Sequence, residues 1–435
     1  MKEKRRILIT VLLLIVTVLL FRLEKYINKG KKVIHQNKEP VFYTIEDPEF
    51  WIDRIEDKDL LLMNLTEIEK FNEEILKKFD FLVDLEEHKE NIKKEKLQEL
   101  IESTSQIPGE LRYDREGNIM DEDYFNRLIH NFNLESYPAS ISIKYGVTIN
   151  RTMIRTFPTF EPSYREKDNP NFDRFMETAI YPWEPLIIYS ESTDGEWYFG
   201  RMYNYLGWIP KKDVAIGEKE EIFSYIKREP FLVVIDKQVY IEDLLLDMGV
   251  RVPIIEENKD AYVIGIPTRN EDGQLEIVEK EIHTLEKFNK GYLPYTKENI
   301  IKQGFKFYGE EYGWGGSDNK RDCSAFIMDI YRTFGLKLPR NSIEQGIESI
   351  GKIHSKENIP PASILYMPGH TMLYLGEENG VGYILHQFAG YYEEGEKGLN
   401  YIEVMKTGVT PLTIKISNGK SYMEVINVCK EFINN

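Results

Sequence analysis

The sequence contains two cysteines and seven histidines, and one cysteine has a position suited to nucleophilic chemistry. Cys323 directly follows Asp322 and a glycine-rich segment, residues 312–316, at the point where a helical pattern begins. A helix N terminus can lower the pKa of a thiol, and the thiolate is the reactive form. Asp322 opposes this effect, because a neighbouring negative charge raises a thiol pKa. The pattern therefore predicts a nucleophile beside a carboxylate that would be balanced by a cation, such as a substrate amine.

The residues after Cys323 predict the helix that would carry it. Apolar side chains recur at a spacing near 3.6, and Asp322 is suited to cap the N terminus. Gly335 is suited to end the helix. The apolar positions are Phe326, Ile327, Ile330, Tyr331 and Phe334.

Two histidines lie in β-like runs further along the chain. His370 begins one run, His386 ends the next, and turn residues 377–380 separate them, which predicts an antiparallel hairpin. The histidines face each other directly if the loop has an odd length and is centred on Glu378. A two-residue turn at Asn379 and Gly380 would place them on opposite faces of the sheet. A shared function for the two rings therefore favours the odd-length loop.

A thiol and two histidines supply the groups needed for acyl transfer. His370 would take the thiol proton and later protonate the leaving amine, while His386 would orient His370. The backbone N–H of Cys323 and the hydroxyl of Tyr312 would bind the oxyanion. The alternative is that Cys323 is a small buried hydrophobic residue, which is the commoner role of a lone cysteine in an apolar helix.

Five short segments can be compared with known families: Tyr312-Gly313-Trp314-Gly315-Gly316, Arg321-Asp322-Cys323-Ser324, Leu338-Pro339-Arg340-Asn341-Ser342, Gly369-His370 and His386. Together they resemble the NlpC/P60 superfamily of papain-like cell-wall cysteine peptidases. The resemblance implies that Cys323 is the nucleophile, His370 the base and His386 the third polar residue. It also implies that Tyr312, Asp322 and Ser324 contact the substrate. The enzyme would need no metal or cofactor, and the bond that it cuts would join γ-D-glutamate to a diamino acid.

The N-terminal residues predict export. Lys2, Lys4, Arg5 and Arg6 precede an uncharged and mostly aliphatic run, residues 7–21. The run is short for a membrane span, but no small residues that would form a cleavage site follow it. We expect residues 1–24 to form an uncleaved signal anchor in the cell membrane with the remaining chain extracytoplasmic. A cleaved and secreted form is the alternative.

Composition limits the partners. The chain has 435 residues and a formal net charge of -17, with 42% hydrophobic residues. It is long enough for about three domains by length alone. No dominant basic patch is apparent, which argues against nucleic acid as a partner.

The pattern divides the exported chain into four parts and predicts an α+β multidomain fold. Residues 25–137 are charged and helical, with Thr66 and Glu69 fitting a capping box. Residues 138–216 and 217–285 read as two small β-barrels, and residues 286–435 contain the expected site.

The first three parts resemble the clip-like N-terminal domain and the two bacterial SH3-like domains found in one branch of the superfamily. In that branch the first barrel abuts the active site, which implies a preference for stem peptides with a free N-terminal L-alanine. The aromatic residues of this barrel, including Trp197 and Trp208, are also of the kind that fills a barrel core. The residues that carry the likeness are Asp47-Pro48-Glu49-Phe50-Trp51, Arg155-Thr156-Phe157-Pro158-Thr159, Phe172-Asp173-Arg174-Phe175, Asp194-Gly195-Glu196-Trp197-Tyr198 and Gly207-Trp208.

The N-terminal pattern and the family resemblance together imply a membrane-anchored endopeptidase that acts on peptidoglycan stem peptides or muropeptides. A thiol amidase or acyltransferase on the same scaffold is one alternative. A catalytically idle wall-binding scaffold is another, and the presence of Cys323, His370 and His386 together argues against it.

Overall fold

The computed structural model describes residues 43–167, 169–283, 285–396 and 398–434. The described residues from Ile45 onward belong to one compact unit. The predicted signal anchor, residues 1–24, and the first part of the predicted helical domain lie outside the described residues. Within the described ranges, none of the helices combines the length and apolarity that a membrane crossing requires.

The segment before the first barrel is helical, as predicted, with one short strand. Asn64 caps helix α2 through a capping box with Glu67, so the expected box of Thr66 and Glu69 is wrong by two residues. The elements are α1 (Pro48–Ile52), α2 (Leu65–Lys78), β1 (Asn91–Lys93), α3 (Lys94–Thr104) and α4 (Glu122–His130). Strand β2 (Ser140–Ser142) pairs with β1.

The first barrel is a seven-stranded antiparallel sheet. Its core contains Trp197 and Trp208 packed with residues of α3 and α4, so both tryptophans are core residues. The strands are β3 (Lys144–Thr148), β4 (Thr152–Arg155), β5 (Met176–Ile180), β6 (Pro185–Glu191), β7 (Trp197–Met202), β8 (Tyr205–Pro210) and β9 (Val214–Gly217). Their order in the sheet is β5-β4-β8-β7-β6-β3-β9.

Helix α5 (Lys219–Ile226) leads into the second β-rich part. Its strands are β10 (Phe231–Val234), β11 (Gln238–Ile241), β12 (Leu244–Asp247), β13 (Arg251–Glu257), β14 (Tyr262–Arg269), β15 (Leu275–Ile282) and β16 (Phe288–Lys290). Five of them form a sheet in the order β15-β14-β13-β10-β16, and β11 pairs with β12. Because β16 pairs with β10, this sheet extends past residue 285, where the sequence placed the boundary.

The C-terminal part packs helices against a six-stranded sheet of order β17-β22-β18-β19-β20-β21. The helices are α6 (Lys297–Phe305), α7 (Cys323–Arg332), α8 (Ser342–Gln345) and α9 (Tyr422–Val425). The strands are β17 (Lys352–Ile353), β18 (Ile364–Met367), β19 (His370–Glu378), β20 (Val381–Gly395), β21 (Gly398–Pro411) and β22 (Val428–Glu431).

Helix α7 begins at Cys323 because Asp322 caps it, accepting a hydrogen bond from the backbone N–H of Ala325 at 2.9 Å. The cap confirms the sequence prediction. The apolar side chains of α7 pack with Leu373 and Leu385 of the sheet in one core. Cys429, the second cysteine, lies buried in strand β22.

The β19–β20 hairpin differs from its prediction. Its turn is the two-residue turn at Asn379 and Gly380, with φ of 52° and 76°, as the Asn-Gly pair favours. A register shift between Tyr374 and Gly376 then places one extra residue, Leu375, in β19. Such a bulge changes the pairing by one residue.

The bulge puts the two histidines on one face despite the tight turn. Beyond it, Leu373 pairs with Leu385, so in this register His370 is diagonal to His386 and not directly opposite it. Side chains on this face, including Met372 and Ile384, pack with Tyr422 of α9. The odd-length loop is therefore wrong, while a shared face for the two rings is correct.

Candidate active site

The thiol of Cys323 lies at the N terminus of α7, and the residue is only 8% exposed. The backbone N–H groups of Thr371 and Ser324 lie close enough to its Sγ to act on the thiol pKa, which they lower. The β19–β20 ladder ends at the Leu373–Leu385 pair, so Thr371 pairs with Tyr366 of β18 but lies beyond the residues that pair with β20. The thiol therefore sits beside the residue that follows His370, at the open end of the hairpin.

Burial, followed by the charge of Asp322, raises the pKa of the Cys323 thiol from 9.0 to about 12. The two N–H donors and the cation of Arg340 act in the opposite direction and are outweighed. Of the two opposing effects considered from the sequence, the helix N terminus is therefore the weaker one. In the substrate-free protein the thiol is protonated at neutral pH.

The two histidines form a hydrogen-bonded relay that ends on a hydroxyl. Nε2 of His370 lies 2.8 Å from Nδ1 of His386, and Nε2 of His386 lies 2.9 Å from Oγ1 of Thr410. If His386 donates to Thr410, its Nδ1 is the acceptor for the N–H of His370. Nδ1 of His370 then carries the free lone pair, which is the group needed to accept a thiol proton.

Aromatic rings hold the relay from the side. Tyr422 packs edge-on against both imidazoles, with ring centroids 6.1 Å from His370 and 6.0 Å from His386. Phe388 stacks on His386 at 3.8 Å. His386 is fully buried, and these contacts leave its ring little freedom to rotate.

Burial among these side chains also keeps the two imidazoles neutral. Desolvation lowers the pKa of His370 from 6.5 to about 4. Desolvation, followed by the charge of His370, lowers the pKa of His386 well below 6.5. Both groups are therefore bases at neutral pH. The resting site holds a neutral thiol next to neutral imidazoles, and charge separates only when the thiol proton moves.

Asp322 already has its cation within the protein. Arg340 donates to both carboxylate oxygens, at 2.6 Å and 3.1 Å, and the pair is buried. Oδ1 also accepts from Ala325 and Ser324, and Oδ2 from the backbone N–H of Gly315. Arg340 lowers the pKa of Asp322, so this carboxylate is ionised. The argument that Asp322 requires a substrate amine for neutralisation is therefore wrong.

Tyr312 lies beside the thiol and is partly covered by the first barrel. Burial, followed by the charges of Cys323 and Asp322, raises its pKa well above 10.0, so its hydroxyl stays a donor. Phe172 of the first barrel lies 6.2 Å from the Tyr312 ring and 5.6 Å from the Trp314 ring. The guanidinium of Arg174 stacks on Trp314 at 4.6 Å.

The glycine-rich segment packs directly on strand β5 of the first barrel. Gly315 and Gly316 have positive φ, and a Cβ on Gly316 would lie 2.6 Å from Cβ of Ala179. A Cβ on Gly315 would lie 3.0 Å from the carbonyl oxygen of Met176. Arg340 also donates to Oγ1 of Thr178 at 2.6 Å. The first barrel therefore forms one wall of the site.

The structure thus brings together all six residues that the sequence singled out: Tyr312, Asp322, Cys323, Ser324, His370 and His386. It adds Arg340, Thr410 and Tyr422, which the sequence analysis gave no role. Arg340 lay in a quoted motif, whereas the strand and helix that supply Thr410 and Tyr422 carry no local signal of chemistry.

Comparison with known proteins identifies two domains. Residues 309–390 match the NlpC/P60 family, and residues 158–210 match an SH3 domain of the SH3b1 type. The chain therefore contains an NlpC/P60 domain preceded by an SH3 domain, as the resemblance implied.

Two curated relatives are gamma-D-glutamyl-L-lysine dipeptidyl-peptidases. The protein of Bacillus cereus (strain ATCC 10987 / NRS 248) is 24% identical over 192 residues, which cover 40% of this chain and 55% of the relative. That of Bacillus subtilis (strain 168) is 33% identical over 106 residues, 24% of this chain and 32% of the relative. The matched region thus spans about half or less of each relative's length.

A solved structure shares most of the fold. The NlpC/P60 endopeptidase from Photobacterium damselae subsp. piscicida superimposes with a TM-score of 0.68 at 21% identity. The similarity covers 86% of this chain and 92% of the other. The multidomain α+β arrangement is therefore shared by the two chains.

Proposed function

We propose that this protein is a cysteine endopeptidase that hydrolyses the bond between γ-D-glutamate and the diamino acid of peptidoglycan stem peptides. The observation that carries the proposal is the relay from His370 through His386 to Thr410 beside the thiol of Cys323. The family match and the names of the two Bacillus relatives support peptidoglycan as the substrate class.

In the first half of the reaction, Nδ1 of His370 removes the thiol proton as Sγ of Cys323 attacks the γ-carbonyl carbon of D-glutamate. The carbonyl π electrons move to oxygen, where Tyr312 and the N–H of Cys323 would stabilise the negative charge. Collapse of this intermediate breaks the C–N bond. His370 returns the proton to the leaving amine, and a thioester remains on Cys323.

In the second half, His370 takes a proton from water as the oxygen attacks the thioester carbonyl. The C–S bond then breaks, the thiolate regains the proton from His370, and the free γ-carboxyl group leaves. His386 passes part of the positive charge of His370 towards Thr410 through its hydrogen bonds. No carboxylate takes part in the relay of described residues.

The substrate's amino end would lie near Asp322 and Ser324, against the wall formed by the first barrel. Because Arg340 already balances Asp322, binding of a free amine would rest on hydrogen bonding and on exclusion of larger acylated peptides by that wall. We propose a preference for stem peptides that begin with free L-alanine. We also propose an extracytoplasmic location with residues 1–24 as membrane anchor.

The test is digestion of defined stem peptides followed by mass spectrometry. The full chain should release L-alanyl-D-glutamate from L-alanyl-γ-D-glutamyl-diamino acid peptides, and Cys323→Ala should abolish release. Cys429→Ala is the matched control and should retain activity, because Cys429 lies in β22 on another strand of the sheet. Cleavage by Cys323→Ala, or products cut at another bond, would contradict the proposal.

The same assay tests the amino-end preference. Peptides with a free L-alanyl amine should be cut faster than the same peptides acylated at that amine. Equal rates on the free and acylated peptides would instead indicate an enzyme that acts on intact peptidoglycan, where the alanine is joined to the glycan.

A further inference from the structure

A buried ionic network is centred on Arg321, which precedes Cys323 by two residues in the sequence. The guanidinium of Arg321 is fully buried and donates to Asp329 at 2.5 Å, to Glu310 at 2.8 Å and to Asp247 at 2.6 Å. It also donates to the backbone carbonyl of Lys237 at 2.9 Å. Four hydrogen bonds from one side chain fix its position closely.

The network joins three domains. Glu310 and Asp329 belong to the NlpC/P60 part, whereas Asp247 ends strand β12 of the second β-rich part. Arg151 of the first barrel donates to the other oxygen of Asp247 at 3.0 Å. Asp247, which is fully buried, is thus held between two arginines from different domains.

The same groups hold the backbone of the glycine-rich segment. Arg151 also donates to the carbonyl oxygens of Gly316 at 2.8 Å and Lys320 at 2.9 Å. The carbonyl oxygen of Arg321 accepts from the side chain of Gln387, the residue after His386, at 3.1 Å. The segment that leads into Cys323 is therefore tied on one side to the histidine strand and on the other to Asp247.

We propose that Asp247 is a positioning residue for the nucleophile: its ion pair with Arg321 sets where the thiol lies relative to the relay. The proposal rests on the proposed function for its kinetic readout. Without the Asp247 carboxylate, Arg321 and Arg151 would each lose a buried partner, and the segment between them would move. A displacement of about 1 Å at reacting atoms can cost about 100-fold in rate.

A second buried ion pair gives a matched control. At the other end of α7, Arg332 pairs with Glu184 of the first barrel at 3.3 Å, and both side chains are largely buried. This pair also crosses between domains, but it lies at the end of the helix away from Cys323. Breaking this pair therefore shows the effect of a weaker contact between domains, while the segment that carries the thiol is unchanged.

The experiment compares Asp247→Asn with Glu184→Gln in the full chain. Asp247→Asn should lower kcat about 100-fold with KM within about threefold, whereas Glu184→Gln should keep kcat within about threefold. Iodoacetamide should alkylate Cys323 at pH 8 at least about tenfold faster in Asp247→Asn, because water reaches a displaced thiol. Glu184→Gln should be alkylated as slowly as the wild type.

Alkylation does not depend on the substrate, so it tests the positioning role even if the wild type cleaves no stem peptide. Equal losses of kcat in the two variants, or unchanged alkylation in Asp247→Asn, would overturn the proposal. Arg321→Lys serves if Asp247→Asn does not fold, since lysine keeps the charge but cannot reach all three carboxylates. If neither folds while Glu184→Gln does, the pair is needed for folding itself and the positioning role is refuted.

Discussion

The hydroxyl of Thr410 lies 2.9 Å from Nε2 of His386 and forms the far end of the relay. If the Thr410 hydroxyl accepts this hydrogen bond, His386 is the tautomer that accepts from His370, and the base lone pair of His370 stays free. Thr410→Val removes the acceptor and should lower kcat by about threefold to tenfold, the value of one neutral hydrogen bond.

Thr410→Ser is the control, because it keeps the hydroxyl and should stay close to wild type. The kcat of both variants on a stem peptide, with the pH profile, checks the prediction. Equal activity of the valine and serine variants would show that the hydroxyl does not orient His386.

Slow alkylation of the resting thiol is the second prediction. With the pKa of Cys323 raised to about 12, only about one thiol in ten thousand is ionised at pH 8. Iodoacetamide should therefore react slowly with the folded protein, and the rate should keep rising above pH 9. Cys429, with its pKa raised to about 11, should also be slow, and both should react readily in urea. A rate that levels off below pH 8 would contradict the raised pKa.

Acid should destabilise the fold through the two imidazoles. The pKa of His370 falls from 6.5 to about 4 on folding, and that of His386 is also lowered. The unfolded chain therefore binds more protons, and this stability is present above pH 6.5 and lost as the pH falls towards 4. Urea unfolding from pH 7 to pH 4 should show a steeper loss in wild type than in a His370→Gln/His386→Gln variant. Parallel curves would refute the shift.

Removal of the cation beside Asp322 should destabilise the folded protein. Arg340→Met leaves a buried carboxylate unpaired and should lower the free energy of unfolding by about 3–5 kcal/mol. Lys77→Met breaks an exposed pair with Glu73 and should change stability by less than about 1 kcal/mol. Urea unfolding at pH 7 measures both. A similar small effect for the two variants would mean that Asp322 is not dependent on Arg340.

The N-terminal segment should hold the protein in the membrane. Residues 7–21 are uncharged and follow four cationic side chains, and no small residues for signal cleavage follow Phe21. The protein should sediment with membranes and resist extraction by high salt, and deletion of residues 1–24 should release it. A soluble product starting near residue 25 would show a cleaved signal.

Local sequence was sufficient to predict those features that depend on a single helix and its cap. The start of α7 followed from Asp322 and the apolar spacing after Cys323. Two equally good capping patterns lie two residues apart near Asn64, and the choice between them depends on packing of Ile68 and Phe71 that sequence alone does not show.

The hairpin and the charge balance needed tertiary contacts. Asn379 and Gly380 predict a tight turn, and the bulge at Leu375 that restores a shared face has no comparable signal. The partner of Asp322, Arg340, is distant in sequence, as is Asp247 from Arg321. The burial that raises the thiol pKa arises only when the first barrel and the sheet enclose the helix N terminus.

Because the Cys323 thiol is protonated and buried, it should resist oxidation. Peroxide and other oxidants attack the thiolate, so a thiol with a raised pKa is oxidised slowly while the site is empty. Neither cysteine is tied in a disulfide, and both are buried. In oxidising surroundings Cys323 would stay reduced between turnovers, and the proton transfer that begins catalysis would also be the moment at which the sulfur becomes vulnerable.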